Sequence, residues 1–243
     1  MLEPDLIVKE VELRLNSGFT ATETAPVQKS KNIQVLITAG GTSEPIDDIR
    51  VITNRSTGKT ASVLADHLVE SGFEVTFLHS ENSLKPKNPP QTVAFPTFND
   101  LQSKLETELK RSSYDWVIHT AAVSDYSVQP TEGKISSDAD EITLKLKRNP
   151  KLIDQIKKIS PKTKLVGFKL TSTTDPKTIT EKVGKLFSNA HCDFVVQNDW
   201  SDIKNNNRIF NVYSAQSVQP DSIEGLDELS ATLFHKILAK ETL

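Results

Sequence analysis

Residues 36–58 read LITAGGTSEPIDDIRVITNRSTG, and the organisation of the chain turns on this stretch. The apolar run into Ala39 has the length and composition of a buried strand. It breaks at Gly40-Gly41-Thr42, where two adjacent glycines let backbone N–H groups come close to an anion. A turn with Pro45, Asp47 and Asp48 follows, and then a polar loop, Thr53-Asn54-Arg55-Ser56-Thr57-Gly58, which opens an amphipathic helix. A strand that hands over through glycines to a helix N-terminus is how open α/β sheets hold phosphate groups. A tight strand-to-helix turn would also account for the glycines, so their meaning depends on what surrounds them.

The alternation continues along the chain. Apolar runs predict buried strands over 33–38, 74–79, 92–95, 114–121, 164–170 and 193–197. Helical periodicity predicts helices over 57–71 (stopped by Gly72), 98–111, 150–159 (with Pro150 in its first turn), 176–190 and 226–240. Residues 142–147 alternate apolar and Lys and read as a half-exposed strand, and 208–214 as a strand pairing at an edge. The expected fold is α/β: a Rossmann-like, doubly wound, mainly parallel sheet with helices on both faces and an added edge hairpin or flap. Residues 1–32 read as a helical stripe (2–15) and a polar linker (16–32), and 33–243 as the nucleotide-binding domain.

With 29 Lys and Arg against 32 Asp and Glu, the net charge is −3 and the signs are interspersed, which points away from nucleic acid and from a membrane surface. No apolar run has transmembrane length, and MLEPDLIVKEVELRL lacks the uninterrupted apolar region of a secretory signal. The single cysteine, Cys192, cannot form an intramolecular disulfide, and a cytoplasmic location is expected.

Common nucleotide motifs are approached but not matched. Gly58-Lys59-Thr60 has the tail of a P-loop, but the glycine required five residues before Gly58 is Thr53. Gly40 and Gly41 lack the third glycine of a dinucleotide fingerprint, and Tyr126 is followed four residues later by Pro130 where a Tyr-x-x-x-Lys pair would need a lysine. Asp125, just past Thr120-Ala121-Ala122, stands where a carboxylate can accept hydrogen bonds from ribose, although an N-cap would use an Asp equally well. Gly133-Lys134-Ile135-Ser136-Ser137 reads as a surface loop whose lysine could stabilise charge on a transferring group. The five histidines show no metal-ligand spacing, so no resident metal is expected, and any metal is Mg²⁺ carried by nucleotide phosphates.

Taken in order, ITAGGTSEPIDDIRVITNRSTGK (37–59), HTAAVSDYS (119–127), KISS (134–137), LKLKRNPKLI (144–153), VGFKL (166–170) and DFVVQNDWSDI (193–203) closely resemble the phosphopantothenoylcysteine synthetase family of coenzyme A biosynthesis. The resemblance implies a ligase that activates 4′-phosphopantothenate with a nucleoside triphosphate, CTP ahead of ATP, and then joins it to cysteine, releasing pyrophosphate and a nucleoside monophosphate. It implies catalytic roles for Asn54, Arg50 and Lys134. Gly40, Gly41, Ser56, Thr57 and Gly58 would form the cradle, with His119, Thr120, Ala121 and Ala122 at the nucleotide and Asp125 at its ribose. Pro150, Lys151, Leu152 and Ile153 would line the nucleotide site, Phe168 would lie near the base, and Lys182 and Lys185 would meet phosphates. The family also implies a homodimer, with 127–148 reaching across.

The chain departs from the family pattern in places. Bifunctional bacterial members spell the flap Lys-Ile-Lys-Lys and use its last lysine; Ser137 stands there, which leaves Lys134, or alternatively Lys169, for the charge role. Asn189 stands where a second phosphate-binding lysine is expected. The N-terminal segment resembles the tail joining a flavin-dependent phosphopantothenoylcysteine decarboxylase to the synthetase, so association with such an enzyme is one expectation. Two other readings remain open on sequence grounds: an NAD(P)-dependent oxidoreductase on a similar sheet, and a non-catalytic nucleotide-binding subunit, for which Ser137 is the motive.

Overall fold

Val35, Leu36 and Ile37 are fully buried, and the strand they form, β1 (Gln34–Ala39), is an interior strand of the sheet. The computed structural model describes residues 33–88, 91–205, 207–215, 217 and 219–241; the expected helix and linker of 1–32 lie outside them. β1 pairs in parallel with β4 (Glu74–Ser80) on one side, and β4 with β5 (Gln91–Phe95). On its other side β1 pairs in parallel with β6 (Trp116–His119), followed outward by β9 (Lys164–Thr171) and β10 (Phe194–Asp199). Then come β11 (Ile209–Ser214) and β12 (Asp221–Glu224), both antiparallel to their neighbours. The eight-stranded order is therefore β12-β11-β10-β9-β6-β1-β4-β5. The strand over 208–214 was expected at an edge; it lies one place inside, because β12, too short and polar to stand out in the sequence, covers it.

Alternate residues of the parallel strands point to opposite faces, and each face carries helices. Val35, Ile37, Trp116, Ile118 and Val166 pack beneath α1 (Lys59–Glu70) and the closing helix α6 (Leu226–Glu241). Leu36, Val117, Leu165 and Val195 pack beneath α2 (Phe98–Arg111), α3 (Ile153–Ile159) and α4 (Pro176–Ala190). A parallel sheet must be apolar on both sides, which is why its strands read as continuous apolar runs. α2 is started by a capping box between Thr97 and Asp100, and α4 by Asp175 capping Thr178 N–H with Pro176 in the first turn. A short helix, α5 (Trp200–Lys204), follows β10. Among the described residues no helix is long and apolar enough to cross a membrane.

Two small antiparallel ribbons stand outside the main sheet. β2 (Ser43–Pro45) pairs with β3 (Val51–Thr53), and β7 (Tyr126–Val128) with β8 (Leu146–Arg148). The half-exposed strand expected over 142–147 is thus reduced to its last residues and one beyond; Ile142 and Leu146 are both exposed, so the alternation there does not reflect a buried face. Two helix starts also differ from expectation. Gly58, at φ 70°, delays α1 to Lys59, and α3 begins at Ile153 rather than at Pro150.

At the end of the sheet remote from the strand C-termini, Asp193 ties three elements together. Its carboxylate accepts from Lys157 Nζ (2.8 Å), Leu165 N–H (2.9 Å) and Lys240 Nζ (3.0 Å). Burial pushes this carboxyl up, but the hydrogen bonds from Lys157, Leu165 and Lys240 outweigh it and hold the group below the usual Asp range. A depressed folded-state value stabilises the fold above the unfolded Asp range, and that stability is lost as pH falls through the folded value. Asp193→Asn is therefore expected to cost about 2 kcal/mol at neutral pH. The gap in thermal melting from the native sequence should narrow only as pH falls below the ordinary Asp range and through the lowered folded-state value. A gap that stays constant with pH would rule out this role.

Candidate nucleotide site

β1 and β6 are neighbours, but the chain leaves them in opposite directions, toward β4 and toward β9. This is the topological switch point at which open α/β sheets bind ligands. The two segments stay together beyond the sheet. Ala122 N–H donates to Gly40 O (2.8 Å), Gly41 bridges Ala122, and the Thr42 hydroxyl donates to Ser124 Oγ (2.9 Å) and accepts from Ser124 N–H (3.0 Å). Asn54 Nδ2 donates to Ala122 O (2.9 Å), which brings the loop before α1 onto the same point.

The glycines are required here by space. Gly40 has φ 81°, and a Cβ on it would lie 2.0 Å from Ser80 Oγ. A Cβ on Gly58 would lie 1.9 Å from Ser83 Oγ. On Gly41 it would press on the Asn54 backbone oxygen at 3.0 Å. Gly58 is the N-cap of α1 and has no side chain to cap it, and Thr57 Oγ1 just before it accepts from Lys59 N–H at 3.4 Å.

On the α3/α4 side of the switch point lies a cavity of about 480 Å³. His119, Ala121 and Asp125 come to it from the end of β6; Pro150, Lys151, Leu152 and Ile153 from the start of α3; Phe168 and Lys169 from β9; and Lys182, Lys185 and Asn189 from α4. Behind the cavity wall Gly167 lets Cys192, Leu186 and Ile153 pack closely on β9: a Cβ there would meet Cys192 Sγ at 2.8 Å, Leu186 at 2.9 Å and Ile153 at 3.0 Å.

The electrostatics are lopsided. Lys151, Lys169, Lys182 and Lys185 share this one cavity with Arg148, against Asp125 and Asp154. Burial and then the like charges of Lys151 and Lys182 push Lys169 below the usual lysine range. Asp125 is exposed and paired with Lys151 Nζ. Lys169 and Lys182 are half-buried and Lys151 and Lys185 exposed, and this gathering of like charge favours a polyanion.

His119 is 6 % exposed, and burial pushes it down to about 4, so it is neutral at pH 7. Its Nδ1 lies 2.9 Å from Thr38 Oγ1, which also accepts from Ala121 N–H. Thr38 is fully buried, and its hydroxyl proton is satisfied if it donates to Nδ1. The ring proton then sits on Nε2, which has no partner among the described residues while His119 borders the cavity.

Other expected residues stand elsewhere. Thr120 Oγ1 donates back to Thr38 O. Arg50 was expected at the chemistry, yet its guanidinium is bonded to Asp47 and to Ile135 O. Lys134 is exposed in the segment that passes over this pair and does not line the cavity. Arg148, Asp154 and Leu186 line the cavity without having been named as site residues; Arg148 lies within the quoted segment 144–153 and Asp154 directly after it, and that position was their only sequence signal.

The model of the DNA/pantothenate metabolism flavoprotein C-terminal domain family matches residues 30–239. The chain belongs to this family. It is 31 % identical over 210 residues to the coenzyme A biosynthesis bifunctional protein CoaBC of Methanocaldococcus jannaschii, covering 86 % of this chain and 51 % of that protein. Among solved structures, the DNA/pantothenate metabolism flavoprotein from Streptococcus pneumoniae superposes with TM-score 0.78 at 27 % identity, covering 86 % of this chain and 99 % of that one. A structure of Cab2 mutant H337A in complex with phosphopantothenate-cysteine shares the fold, with TM-score 0.73 at 19 % identity, covering 98 % of this chain and 96 % of that one. The chain spans about half the length of the curated CoaBC relatives it matches. The family resemblance read from the motifs is borne out, as is the mainly parallel α/β sheet.

Proposed function

We propose that this chain is a phosphopantothenate–cysteine ligase, with CTP as its nucleotide ahead of ATP. The observation that carries the reading is the convergence of Lys151, Lys169, Lys182 and Lys185 on one cavity beside the switch point, where Asn54 is bonded to Ala122, the neighbour of the cavity residue Ala121. In this reading the triphosphate meets the lysines, the ribose meets Asp125, and the base lies among Leu152, Ile153 and Phe168. The α-phosphate is then near Ala121 and Ala122. The phosphopantothenate carboxylate approaches from the Gly40–Gly41 side, and one of its oxygens bonds to the α-phosphorus as the bond to pyrophosphate breaks. In the second step the cysteine nitrogen bonds to the acyl carbon, the acyl–phosphate bond breaks, and the amine gives up a proton as nucleoside monophosphate leaves. Both steps build negative charge that fixed donors can stabilise; Asn54 and Lys134 are the proposed donors. Mg²⁺, chelated by the triphosphate, would neutralise phosphate charge, and Asp125 and Asp154 supply oxygen donors of the class it takes.

Mass spectrometry of the chain incubated with phosphopantothenate, Mg²⁺ and CTP, without cysteine, tests the first step. An acyl-cytidylate supports the reading; formation of CDP instead would replace it with phosphoryl transfer.

His119 is proposed to donate from Nε2 to an uncharged acceptor on the nucleotide. His119→Phe keeps a ring there and removes the donor, so nucleotide KM should rise about tenfold, while His119→Gln, which can place a donor near Nε2, should recover part of the loss. Equal KM values for all three proteins would remove His119 from recognition.

A homodimer is also proposed, through the β2–β3 and β7–β8 ribbons, where Ile49, Val51, Tyr126 and Leu146 are exposed; sedimentation velocity showing only monomer at micromolar concentration would refute it. Association with a flavin-dependent decarboxylase is proposed on the family relationship, and co-purification of the two activities tests it.

A further inference from the structure

The turn between β2 and β3 contains a buried carboxylate with more partners than a turn needs. Asp47 is 3 % exposed. Its Oδ1 accepts from Ile49 N–H (2.9 Å) and Arg50 N–H (2.7 Å), which makes the turn. Its Oδ2 accepts from Arg50 Nη1 (2.9 Å) and from Ile135 N–H (3.1 Å), and Arg50 Nη2 donates to Ile135 O (3.3 Å). One ion pair thus grips both backbone groups of a residue 85 positions further along the chain than Arg50. Backbone bonds continue the seam: Thr131 N–H donates to Ile46 O (2.9 Å) and Asp48 N–H to Gly133 O (3.2 Å). Lys134 is the exposed residue between two gripped neighbours.

An ordinary turn explains the bonds of Oδ1. It does not explain why the other oxygen and the guanidinium are spent on Ile135. The same hairpin also reaches the cavity wall. Buried Glu44 accepts from Ser127 Oγ (3.0 Å); Ser127 bonds Asn149, and Asn149 N–H donates to Asp125 O (2.8 Å). The hairpin is therefore a bracket, with one carboxylate toward the cavity and one holding the strap over 131–135.

We propose that Asp47 and Arg50 are a positioning pair that fastens this strap, so that Lys134 is held at a fixed place relative to the nucleotide cavity. Arg50 acts through Lys134 rather than on the substrates. The proposal rests on the ligase reading for its kinetic consequence but not for the anchoring itself, and the two can be separated.

Asp47→Asn keeps an oxygen for the turn and puts an amide where Ile135 N–H and Arg50 both need an acceptor. Losing charge-assisted bonds of this kind should lower kcat by about ten- to a hundredfold with nucleotide KM within about threefold. The decisive arm is a double-mutant cycle with Lys134→Gln: if Asp47 acts through Lys134, Asp47→Asn costs nothing further in that background. Multiplying effects would overturn the proposal, as would an unchanged kcat. The second arm uses trypsin. The peptide bond after Lys134 is the one whose N–H is held by Asp47, so cleavage there requires release of the strap. Its cleavage, followed by mass spectrometry, should be about tenfold faster in Asp47→Asn at an unchanged rate of global unfolding. If the native chain makes no pyrophosphate, the ligase reading falls and this arm alone decides the anchor; equal cleavage of the two proteins would overturn it.

Discussion

Asn54→Ala is expected to lower kcat by about a hundredfold, the cost of removing one fixed donor from a site of developing charge. Asn54 belongs to the loop before α1, yet its Nδ2 bonds Ala122 O in the segment leaving β6. Gly41 lies between them: a side chain there would press on Asn54 O at 3.0 Å. Three segments distant in sequence thus meet at the switch point, and the amide is the polar side chain that spans them. Among the described residues its second N–H and its Oδ1 have no partner in the fold, and Asn54 is exposed. If the amide served only to brace the loop, Asn54→Ala would lower stability and leave kcat within about threefold. Parallel measurement of kcat, nucleotide KM and melting temperature separates the two roles.

Lys169→Met is expected to weaken nucleotide binding by about ten- to a hundredfold, in the range for charge-assisted hydrogen bonds to phosphate. Lys169 is half-buried on β9, and burial together with Lys151 and Lys182 lowers its pKa. A bound polyanion would relieve that repulsion, so binding favours the protonated lysine. Affinity of the native chain should hold at neutral pH and decline as pH rises through the lowered value, earlier than an ordinary lysine would give. The decline should be absent in Lys169→Met. Isothermal titration with CTP across neutral to alkaline pH measures both; superimposable profiles for the two proteins would contradict the assignment.

The central strands were legible because a parallel sheet buried on both faces is mostly apolar along its strands, as in Val35–Leu36–Ile37 and Val117–Ile118. Helix α2 was legible from its amphipathic periodicity over 98–111, and the structure adds the capping box of Thr97 and Asp100. The β2–β3 hairpin was not. Each strand is three residues long, and its buried members are Glu44 and Asp47, which by their type belong on a surface. What buries them is contact with Phe98, Ser127 and Ile135, far along the chain, and local pattern has no access to it. The same cause hid the partners of Arg50: a motif can mark a residue without showing that its guanidinium bonds Asp47 and Ile135 O. Several residues that line the cavity stand at motif positions, but the meeting of Lys151 from just before α3, Lys169 from β9 and Lys182 from α4 is a product of topology.

The most direct test of the central claim is pyrophosphate release by the purified chain with phosphopantothenate, Mg²⁺, and either CTP or ATP, each with and without cysteine. The account predicts sustained release that requires both phosphopantothenate and cysteine, faster with CTP. No release with either nucleotide, from protein shown by its melting transition to be folded, would contradict it.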